Sequence, residues 1–390
     1  MRVTVLCGSL AHNGIARPWI LTQLLARRFE VQAIGRLRSH ESVWPAFADH
    51  PWTVVRDDGT ASAVARIQRE VTGDVVVAYG MGLLSFGAAL VAKTRCRVPV
   101  VLVMPEWVVY ELFVRPPGVR RALHVGRRLA GGGWSDPHSF KYRWALDQLT
   151  GLADARTVCC EFLRERYGGT LLPQGCDPAH FDPGRFDRAA VRRKWGLSPD
   201  ARIVFFGGNP QRVKGLEQTV AAINALEGRV DCRLVIAGRD ESHGLTGELV
   251  AAGRGRVIAL GVQPFSLMPE LLATADAVVL WHAPDQRSRG YIPCKMFEAM
   301  AMAVPVVSSA HCDVPAILDG CGWVVPAHDL AELQATIEHV LTHPDEARER
   351  GQRARARVIE RYSWPVMERV LCGVVDELRP RAAAGLRATG

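Results

Sequence analysis

The chain has 390 residues, which is too long for a single hydrophobic core and suits two domains of ordinary size. Hydrophobic residues make up 48% and charged residues 23%, a composition that predicts a soluble, folded protein and excludes a disordered one. The formal net charge of +8 favours an anionic partner such as a phosphate-bearing substrate or an acidic membrane surface, although an arginine-rich composition without a specific role explains it equally well.

The ten cysteines are scattered along the chain, and none forms a C-x-x-C pair, which argues against a metal site or a disulfide framework. The amino terminus leads directly into an apolar, strand-like run. No apolar stretch reaches about 18 residues without a charge or a breaker, the length that a transmembrane helix requires. We therefore expect a cytoplasmic protein without a transmembrane helix.

Short apolar runs rich in valine and isoleucine recur along the chain, and each is followed by a glycine-containing loop and an amphipathic stretch. Continuous apolar strands that alternate with helices predict parallel sheets covered on both faces, and hence two Rossmann-like α/β domains. The runs are Val3–Cys7, Val31–Ile34, Val75–Ala78, Val98–Met104, Ile203–Phe206, Arg233–Ala237, Val257–Leu260, Ala277–Leu280, Val304–Ser308 and Gly322–Val325.

Proline, aspartate and glycine cluster between residues 177 and 187, which indicates a linker. The predicted domains are therefore residues 1–183 and 184–362. Pro365 should break the helical pattern of the tail, because proline cannot continue a helix interior. We expect residues 363–390 to form a helix and tail that cross back to the amino-terminal domain.

In the first half, two loops are candidates for contact with a substrate. His12 and Gly14 lie on the loop after the first strand, and Glu106 follows the strand Val98–Met104. Open α/β sheets bind ligands at this end of their strands. An exposed loop histidine is nevertheless the commoner explanation for His12, and a helix-capping carboxylate explains Glu106 equally well.

The segment from Arg115 to Arg128 is basic and amphipathic, with five arginines interspersed with leucine and valine. Such a stretch suits an anionic membrane surface or a phosphorylated ligand. A solvated helix face is the commoner explanation. Peripheral association with an anionic membrane is therefore a hypothesis for this segment.

In the second half, a buried apolar strand ends in Gly207 and Gly208, and Arg212 and Lys214 follow in a polar loop. The glycines let phosphates approach the backbone, and the cations add charged donors. The motif is weak alone, because an ordinary strand-to-helix turn has the same features. Val262 follows a later strand, where its backbone is placed to contact a nucleobase, but a plain turn explains it equally well.

A stronger signal follows the strand Ala277–Leu280. Pro293 fits the first position of a helix, and the helix start at Cys294 and Lys295 offers free N–H groups and a positive dipole end to a diphosphate. Glu298 stands between apolar neighbours, where a carboxylate needs fixed hydrogen-bond donors such as a ribose diol. The alternative is a surface pair between Lys295 and Glu298 at i,i+3 spacing.

Together these elements resemble the donor domain of retaining GT-B glycosyltransferases of family four. The resemblance covers roughly residues 150–370 and implies two Rossmann-like domains that face each other across a cleft, with a nucleoside diphosphate sugar as donor. It is carried by the stretches ADARTVCCEFLRERYGGTLLPQGCDPAHFDP, GGNPQRVKG, LGVQPFSLMPELLATADAVVLW, PCKMFEAMAMAVPVVSS and RARVIERYSWPVMERVL.

The resemblance also implies roles for single residues. Lys214 matches the lysine that neutralises the donor diphosphate, and Arg212 stands for its partner charge, because the family's usual arginine falls near Gly208. Glu298 matches the second glutamate of the Glu-x7-Glu motif, which binds the donor ribose. The first glutamate falls at Gly290, and a Pro-x-Lys-x-x-Glu branch of the family lacks it too.

These features predict a retaining, metal-independent glycosyltransferase that needs no cofactor beyond its donor. Lys214, Arg212 and the helix start would stabilise the leaving diphosphate, while Glu106 would contact the acceptor or the sugar. A sugar-nucleotide epimerase of similar fold and a non-catalytic binding protein are the alternatives. An epimerase would need more acid and base groups than the sequence offers near the site. A non-catalytic protein would be expected to have lost Lys214 or Glu298, and both are present. Nucleic-acid binding is not expected, because aromatic interleaving and a known module are missing.

Overall fold

A computed structural model of the chain describes residues 1–114, 117–131, 133, 136–240, 244–282 and 285–381. The chain divides into two compact units. The first comprises Met1–Pro173, Arg289–Tyr291 and Met367–Gly390, and the second comprises Gln174–Ser288 and Ile292–Val366. The sequence places the division after residue 183 and the start of the crossing tail at residue 363, and these two domain bounds stay predictions.

The first unit is built on a parallel sheet. Its strands are β1 (Arg2–Ser9), β2 (Glu30–Leu37), β3 (Trp52–Arg56), β4 (Val75–Tyr79), β5 (Val100–Met104), β6 (Ala155–Val158) and β7 (Thr170–Leu171). Among the described residues, hydrogen bonds join them in the order β3-β2-β1-β4-β5-β6-β7, and every pairing is parallel. Its first six helices are α1 (Ala16–Ala26), α2 (Thr60–Glu70), α3 (Ala88–Cys96), α4 (Val119–Ala130), α5 (Phe140–Gln148) and α6 (Glu161–Tyr167).

The second unit repeats this plan. Its strands are β8 (Arg202–Gly207), β9 (Cys232–Ala237), β10 (Val257–Gly261), β11 (Ala277–Leu280), β12 (Val306–Ser309) and β13 (Trp323–Val325), joined in the parallel order β10-β9-β8-β11-β12-β13. The helices between and after them are α7 (Arg188–Lys194), α8 (Leu216–Asn224), α9 (Leu245–Ala252), α10 (Met268–Ala273), α11 (Cys294–Ala301), α12 (Val314–Leu318), α13 (Leu330–Thr342) and α14 (Pro344–Arg357).

The predicted apolar runs lie in ten of these strands, and β3, β6 and β7 are additional. The sequence does not predict the three because they lack a continuous apolar run. Both β3 and β7 are edge strands with mostly exposed or half-buried side chains, so they need no such run. The central strands do need one, since β4, β5 and β11 are buried along almost their whole length.

The strand order of each sheet reverses once, between β1 and β4 in the first unit and between β8 and β11 in the second. Open α/β sheets bind ligands outside the carboxyl ends of their strands at such a reversal, because the flanking loops turn to opposite faces and leave a crevice. In the second unit the loops after β8 and β11 carry most of the residues predicted to bind a diphosphate. The topology therefore brings two distant stretches of sequence to one sheet edge.

The tail breaks where the sequence predicts it. After α14 a wider turn runs from Val358 to Tyr362, Ser363 is extended, and α15 (Trp364–Asp376) begins with Pro365 in its first turn. From Met367 onward the chain belongs to the first unit, where Arg27 pairs with Glu368 at 2.9 Å. No helix in the described part of the chain is long and apolar enough to cross a membrane.

Candidate functional site

The strand β8 ends in two glycines, so its backbone is not covered by its own side chains there. Gly208 has a φ of +123°, a conformation that glycine adopts without strain, and its N–H donates to the carbonyl of Ala237 at 2.7 Å. A Cβ on Gly238 would lie 2.0 Å from the carbonyl oxygen of Gly208. Neither position therefore accepts a larger residue, and the two strand ends meet through their backbones.

The amine of Lys295 fills the space beside this turn. It lies 4.0 Å from the centre of the Phe206 ring, and a Cβ on Gly208 would come within 2.5 Å of it. Burial, and then the charge of Lys214, lowers the pKa of Lys295 to about 7. Among the described residues, no hydrogen bond or ion pair engages this amine. Glu298 is the opposite charge that acts on Lys295, but it forms no ion pair with it, so a buried cation with a second cation nearby favours the binding of an anion here.

Lys214 is the second cation at this edge. It is half-buried, and its amine donates to the carbonyl of Asn209 at 2.7 Å. The turn that holds it closes at Gly215, whose φ is +61° and whose Cβ would lie 2.2 Å from the ring of Trp281. A glycine is thus required at 215, and it fixes Lys214 at the same end of the sheet as Lys295.

Glu298 lies one turn beyond Lys295 on α11. Burial raises the pKa of Glu298 to about 7, against the opposing charge of Lys295. The surface ion pair between these two residues, which their spacing allows, does not form, and the carboxylate has no hydrogen-bond partner within the described ranges. Its acceptor atoms therefore remain available to a ligand with hydroxyl groups.

The start of α11 differs by one residue from the prediction. Pro293 is extended and precedes the helix, which begins at Cys294. The N–H of Met296 donates to the carbonyl of Pro293 at 3.1 Å, which places Cys294 and Lys295 in the first turn of the helix. The predicted contact between the backbone of these two residues and a diphosphate stays a prediction.

Two histidines at this edge are absent from the sequence-based prediction. His282 directly follows β11, and its N–H donates to the hydroxyl of Ser309 at the end of β12 over 2.9 Å. Its ring lies 5.0 Å from that of His311. Burial, followed by the charges of His311, Lys295 and Lys214, lowers the pKa of His282 to about 3, so it stays neutral. Only its position could have pointed to His282 in the sequence, because it is a polar residue directly after a predicted parallel strand.

Arg212 and Val262 lie at the margin of this cluster. The Arg212 guanidinium is exposed and forms ion pairs with Glu217 and, at 2.6 Å, with Glu248, and the hydrogen bonds and charges of these carboxylates raise its pKa. Val262 is 61% exposed and follows Gly261, whose carbonyl accepts from Gly238 at 2.8 Å. The diphosphate role of Arg212 and the nucleobase role of Val262 stay predictions.

The residues predicted in the first unit do not converge in the same way. His12 is exposed, and its Nδ1 accepts the N–H of Gly14 at 3.2 Å. Glu106 is half-buried and follows β5. Because β4 separates β1 from β5, the loops that carry His12 and Glu106 follow strands that are not neighbours.

Gly290, where the family's first glutamate would fall, belongs to the first unit. Its carbonyl accepts the N–H of Trp107 at 3.1 Å, and a Cβ on Gly290 would lie 2.5 Å from the Cβ of Trp107. Trp107 is 2% exposed and packs against Phe113 and Phe162. A glutamate therefore cannot enter at 290 without moving this cluster.

The comparison with known families concerns the second unit. Residues 200–343 match the family described as Glycosyl transferases group 1. This segment runs from the residues before β8 to the end of α13 and includes Lys214, Lys295 and Glu298. The match confirms the resemblance for this segment at the level of a glycosyltransferase group. The assignment to family four and to its Pro-x-Lys-x-x-Glu branch stays a prediction.

Three similar proteins carry the names of two glycosyltransferases and one mannosyltransferase. A D-inositol 3-phosphate glycosyltransferase of Segniliparus rotundus is 29% identical over 228 residues, which are 56% of this chain and 49% of the relative. A second one, of Actinosynnema mirum, is 31% identical and covers 51% and 47%. A GDP-mannose-dependent monoacylated alpha-(1-6)-phosphatidylinositol monomannoside mannosyltransferase of Corynebacterium glutamicum is 26% identical and covers 63% and 67%. The chain thus spans about half the length of two of these relatives.

Solved structures resemble the chain over nearly its whole length. Anabaena Alr3699/HepE in complex with UDP and glucose superimposes with a TM-score of 0.73 at 16% identity, covering 97% of this chain and 100% of that one. Sucrose-phosphate synthase from Thermosynechococcus elongatus gives 0.72 at 17% identity, covering 97% and 99%. At such identities the likeness concerns the fold. The predicted fold class, two parallel-sheet α/β domains of the GT-B type, is confirmed.

Proposed function

We propose that the chain is a glycosyltransferase that moves a sugar from a nucleoside diphosphate sugar to an acceptor hydroxyl, with retention of configuration. The observation that carries this proposal is the cluster at the strand-order reversal of the second sheet. There Lys214, Lys295 and the start of α11 surround a glycine turn, and the carboxylate of Glu298 lies one helical turn away.

The cationic edge suits a leaving diphosphate. When the bond between the sugar and the diphosphate breaks, negative charge grows on the phosphate oxygens. Lys214, Lys295 and the N–H groups of the helix start are fixed in place before that charge develops, so they stabilise it without reorganising. The relative from Corynebacterium glutamicum uses GDP-mannose and the Anabaena structure holds UDP, and both support a nucleoside diphosphate here. Because side chains and a helix dipole neutralise the charge, we propose a metal-independent reaction.

Glu298 suits the ribose of the donor. A carboxylate whose pKa is raised by burial has lost water without gaining fixed donors. A ribose diol supplies two hydroxyl donors, which stabilise the charged form and bring the pKa back down. Bound donor would therefore relieve the burial cost of this carboxylate.

The acceptor side of the proposal depends on the first unit. Glu106 follows β5 at the carboxyl edge of that sheet, and we propose that it contacts the acceptor or the transferred sugar. Gly290 cannot contribute a carboxylate to the sugar, so sugar recognition falls to other groups. The names of the relatives include phosphorylated inositol and a phosphatidylinositol mannoside, which makes a phosphate-bearing acceptor a reasonable first choice in assays.

The test is donor turnover by Lys214→Ala and Glu298→Ala variants, measured as release of nucleoside diphosphate from a panel of sugar nucleotides with and without acceptors. Loss of one preorganised hydrogen-bond donor reduces turnover by about 100- to 1,000-fold in comparable sites. Lys194→Ala is the matched control, because Lys194 is an exposed lysine of the same unit that pairs with Glu270 at 2.6 Å. Unchanged turnover in both site variants, or an epimerised sugar nucleotide formed without acceptor, would contradict the proposal.

A further inference from the structure

The helix α4 of the first unit lies outside the site described above and carries most of the basic segment predicted from the sequence. Arg115, where that segment begins, lies outside the described residues. The helix contains four arginines and no acidic residue, and none of its residues is buried. Such a helix gains little from packing on its own unit, and its exposed face can therefore meet another surface.

One side of α4 is anchored to its own unit. The guanidinium of Arg121 lies 5.1 Å from the centre of the Phe113 ring, and that of Arg128 lies 5.4 Å from the Phe140 ring. Arg128 also forms an ion pair with Glu111. Because residues 121 and 128 are two turns apart, these contacts fix the same side of the helix along its length.

The opposite side of α4 is an exposed apolar stripe. Val119 is 75% exposed and Leu123 is 62% exposed, and the small residues Ala122, Gly126 and Ala130 continue the stripe at helical spacing. We call these five residues the apolar ridge. A valine and a leucine this exposed on a helix that is anchored elsewhere gain free energy when another surface removes them from water.

Two exposed arginines border the apolar ridge. Arg120 and Arg127 lie two turns apart on one flank, and neither pairs with a carboxylate among the residues that the structure describes. The arginines on the anchored side are held by aromatic rings and Glu111, whereas these two are free to meet an external anion. The apolar ridge and this basic flank run side by side for about 18 Å, the length of a twelve-residue helix.

We propose that α4 binds the surface of an anionic lipid bilayer, with Val119 and Leu123 inserted between the headgroups and Arg120 and Arg127 on lipid phosphates. A helix with an apolar face beside a basic flank lies in the plane of the membrane–water interface. The apolar ridge is narrow and convex, which suits a fluid surface better than a protein interface, since stable interfaces bury about 800 Å² on each partner. A second copy is disfavoured, because two identical faces would bring their arginines together.

Vesicle co-sedimentation of the full chain tests this proposal. Vesicles of phosphatidylcholine alone are compared with vesicles that contain about 30% phosphatidylglycerol. We expect binding only to the anionic vesicles, weakened by salt. Arg120→Gln with Arg127→Gln should weaken binding about thirtyfold, at about 1 kcal/mol for each arginine. Val119→Ser with Leu123→Ser should weaken it at least about tenfold.

The control is Arg69→Gln with Arg95→Gln, which removes the same charge from two exposed positions of the first unit. It should leave most of the binding intact, and all variants should keep the thermal transition of the parent chain because the substituted residues are exposed. Equal binding to neutral and anionic vesicles, no binding at low salt, or an equal loss in the control pair would overturn the proposal. So would a dimer in light scattering that the Val119/Leu123 substitutions abolish. We expect none of these substitutions to change donor turnover in solution, because none of them lies in the donor site. The membrane proposal and the proposed function can therefore fail independently.

Discussion

The two units share a sheet plan but differ at the edge where ligands bind. In the second unit the loops after β8 and β11 bring together Lys214, Lys295 and Glu298, and a glycine turn lies among them. In the first unit the predicted residues, His12 and Glu106, follow strands that are not neighbours. A diphosphate can be bound by a few groups with fixed chemistry, so each of the two stretches that form its site carries a recognisable local pattern. An acceptor of unspecified shape leaves no such signature.

The largest effect should come from Lys295. Lys295→Met keeps the length of the side chain but removes the charge beside Gly208 and Lys214. We expect the affinity for a nucleoside diphosphate to fall about 100-fold, because truncating one partner of a buried charge contact costs about 2–5 kcal/mol of binding free energy. Isothermal titration calorimetry measures this directly. Lys295→Arg should restore part of the affinity, and an unchanged affinity in Lys295→Met would remove Lys295 from the site.

A substitution in the first unit should affect folding rather than donor binding. Gly290→Ala places a Cβ where only 2.5 Å separates it from the Cβ of Trp107, and overpacking of this kind costs about 1–3 kcal/mol of unfolding free energy. Chemical denaturation measures the loss. Gly151→Ala is the control, because nothing lies within 4 Å of a Cβ there. Equal stability of the two variants would show that Trp107 does not exclude a side chain at 290.

A substitution at Gly208 should lower the affinity for a nucleoside diphosphate by displacing Lys295, in addition to straining the backbone. Gly208→Ala puts a methyl group 2.5 Å from the Lys295 amine and strains a residue with a φ of +123°. We expect about a tenfold loss of diphosphate affinity, or about 1.4 kcal/mol. Gly228→Ala has a comparable backbone strain, at a φ of +78°, but open space around it. If both variants bind alike, displacement of the amine is not the cause.

Donor affinity should fall as the pH rises above neutrality. Burial lowers the pKa of Lys295 to about 7, so in the free protein the fraction of charged amine decreases from pH 7 upward. An anionic donor binds the charged form, and its affinity therefore decreases by less than tenfold from pH 7 to pH 8. Calorimetry with a nucleoside diphosphate sugar checks this slope. Lys295→Arg, which stays charged, should flatten it, and the same slope in both proteins would assign the titration to another group.

The smallest effect is expected at Arg212. Its guanidinium is 57% exposed and already pairs with Glu217 and Glu248. Arg212→Gln should change diphosphate affinity by less than about threefold, the range of an exposed ion pair. A loss as large as that of Lys214→Ala would instead support the partner role that the family resemblance implies. Both variants belong in the same calorimetric series.

The sequence predicts the second unit well because its signals are local. The apolar strands need continuous buried runs, and Glu298 is conspicuous among apolar neighbours. His282 and His311 were missed because their rings meet only when β11 and β12 pair, and the position of His282 after a strand does not record that contact. The absence of a glutamate at 290 was visible in the sequence, but the packing of Trp107 against this position was not, since Trp107 lies far from it along the chain.

The most direct test of the donor site is a thermal unfolding screen against UDP, GDP, ADP and their sugars. A ligand that binds the folded chain raises its transition temperature by mass action. We predict that at least one nucleoside diphosphate raises the transition of the parent chain and of Lys194→Ala, and that Lys214→Ala combined with Glu298→Ala abolishes the increase. No increase with any of these nucleotides, or the same increase in the double variant, would contradict a donor site at this edge of the second unit.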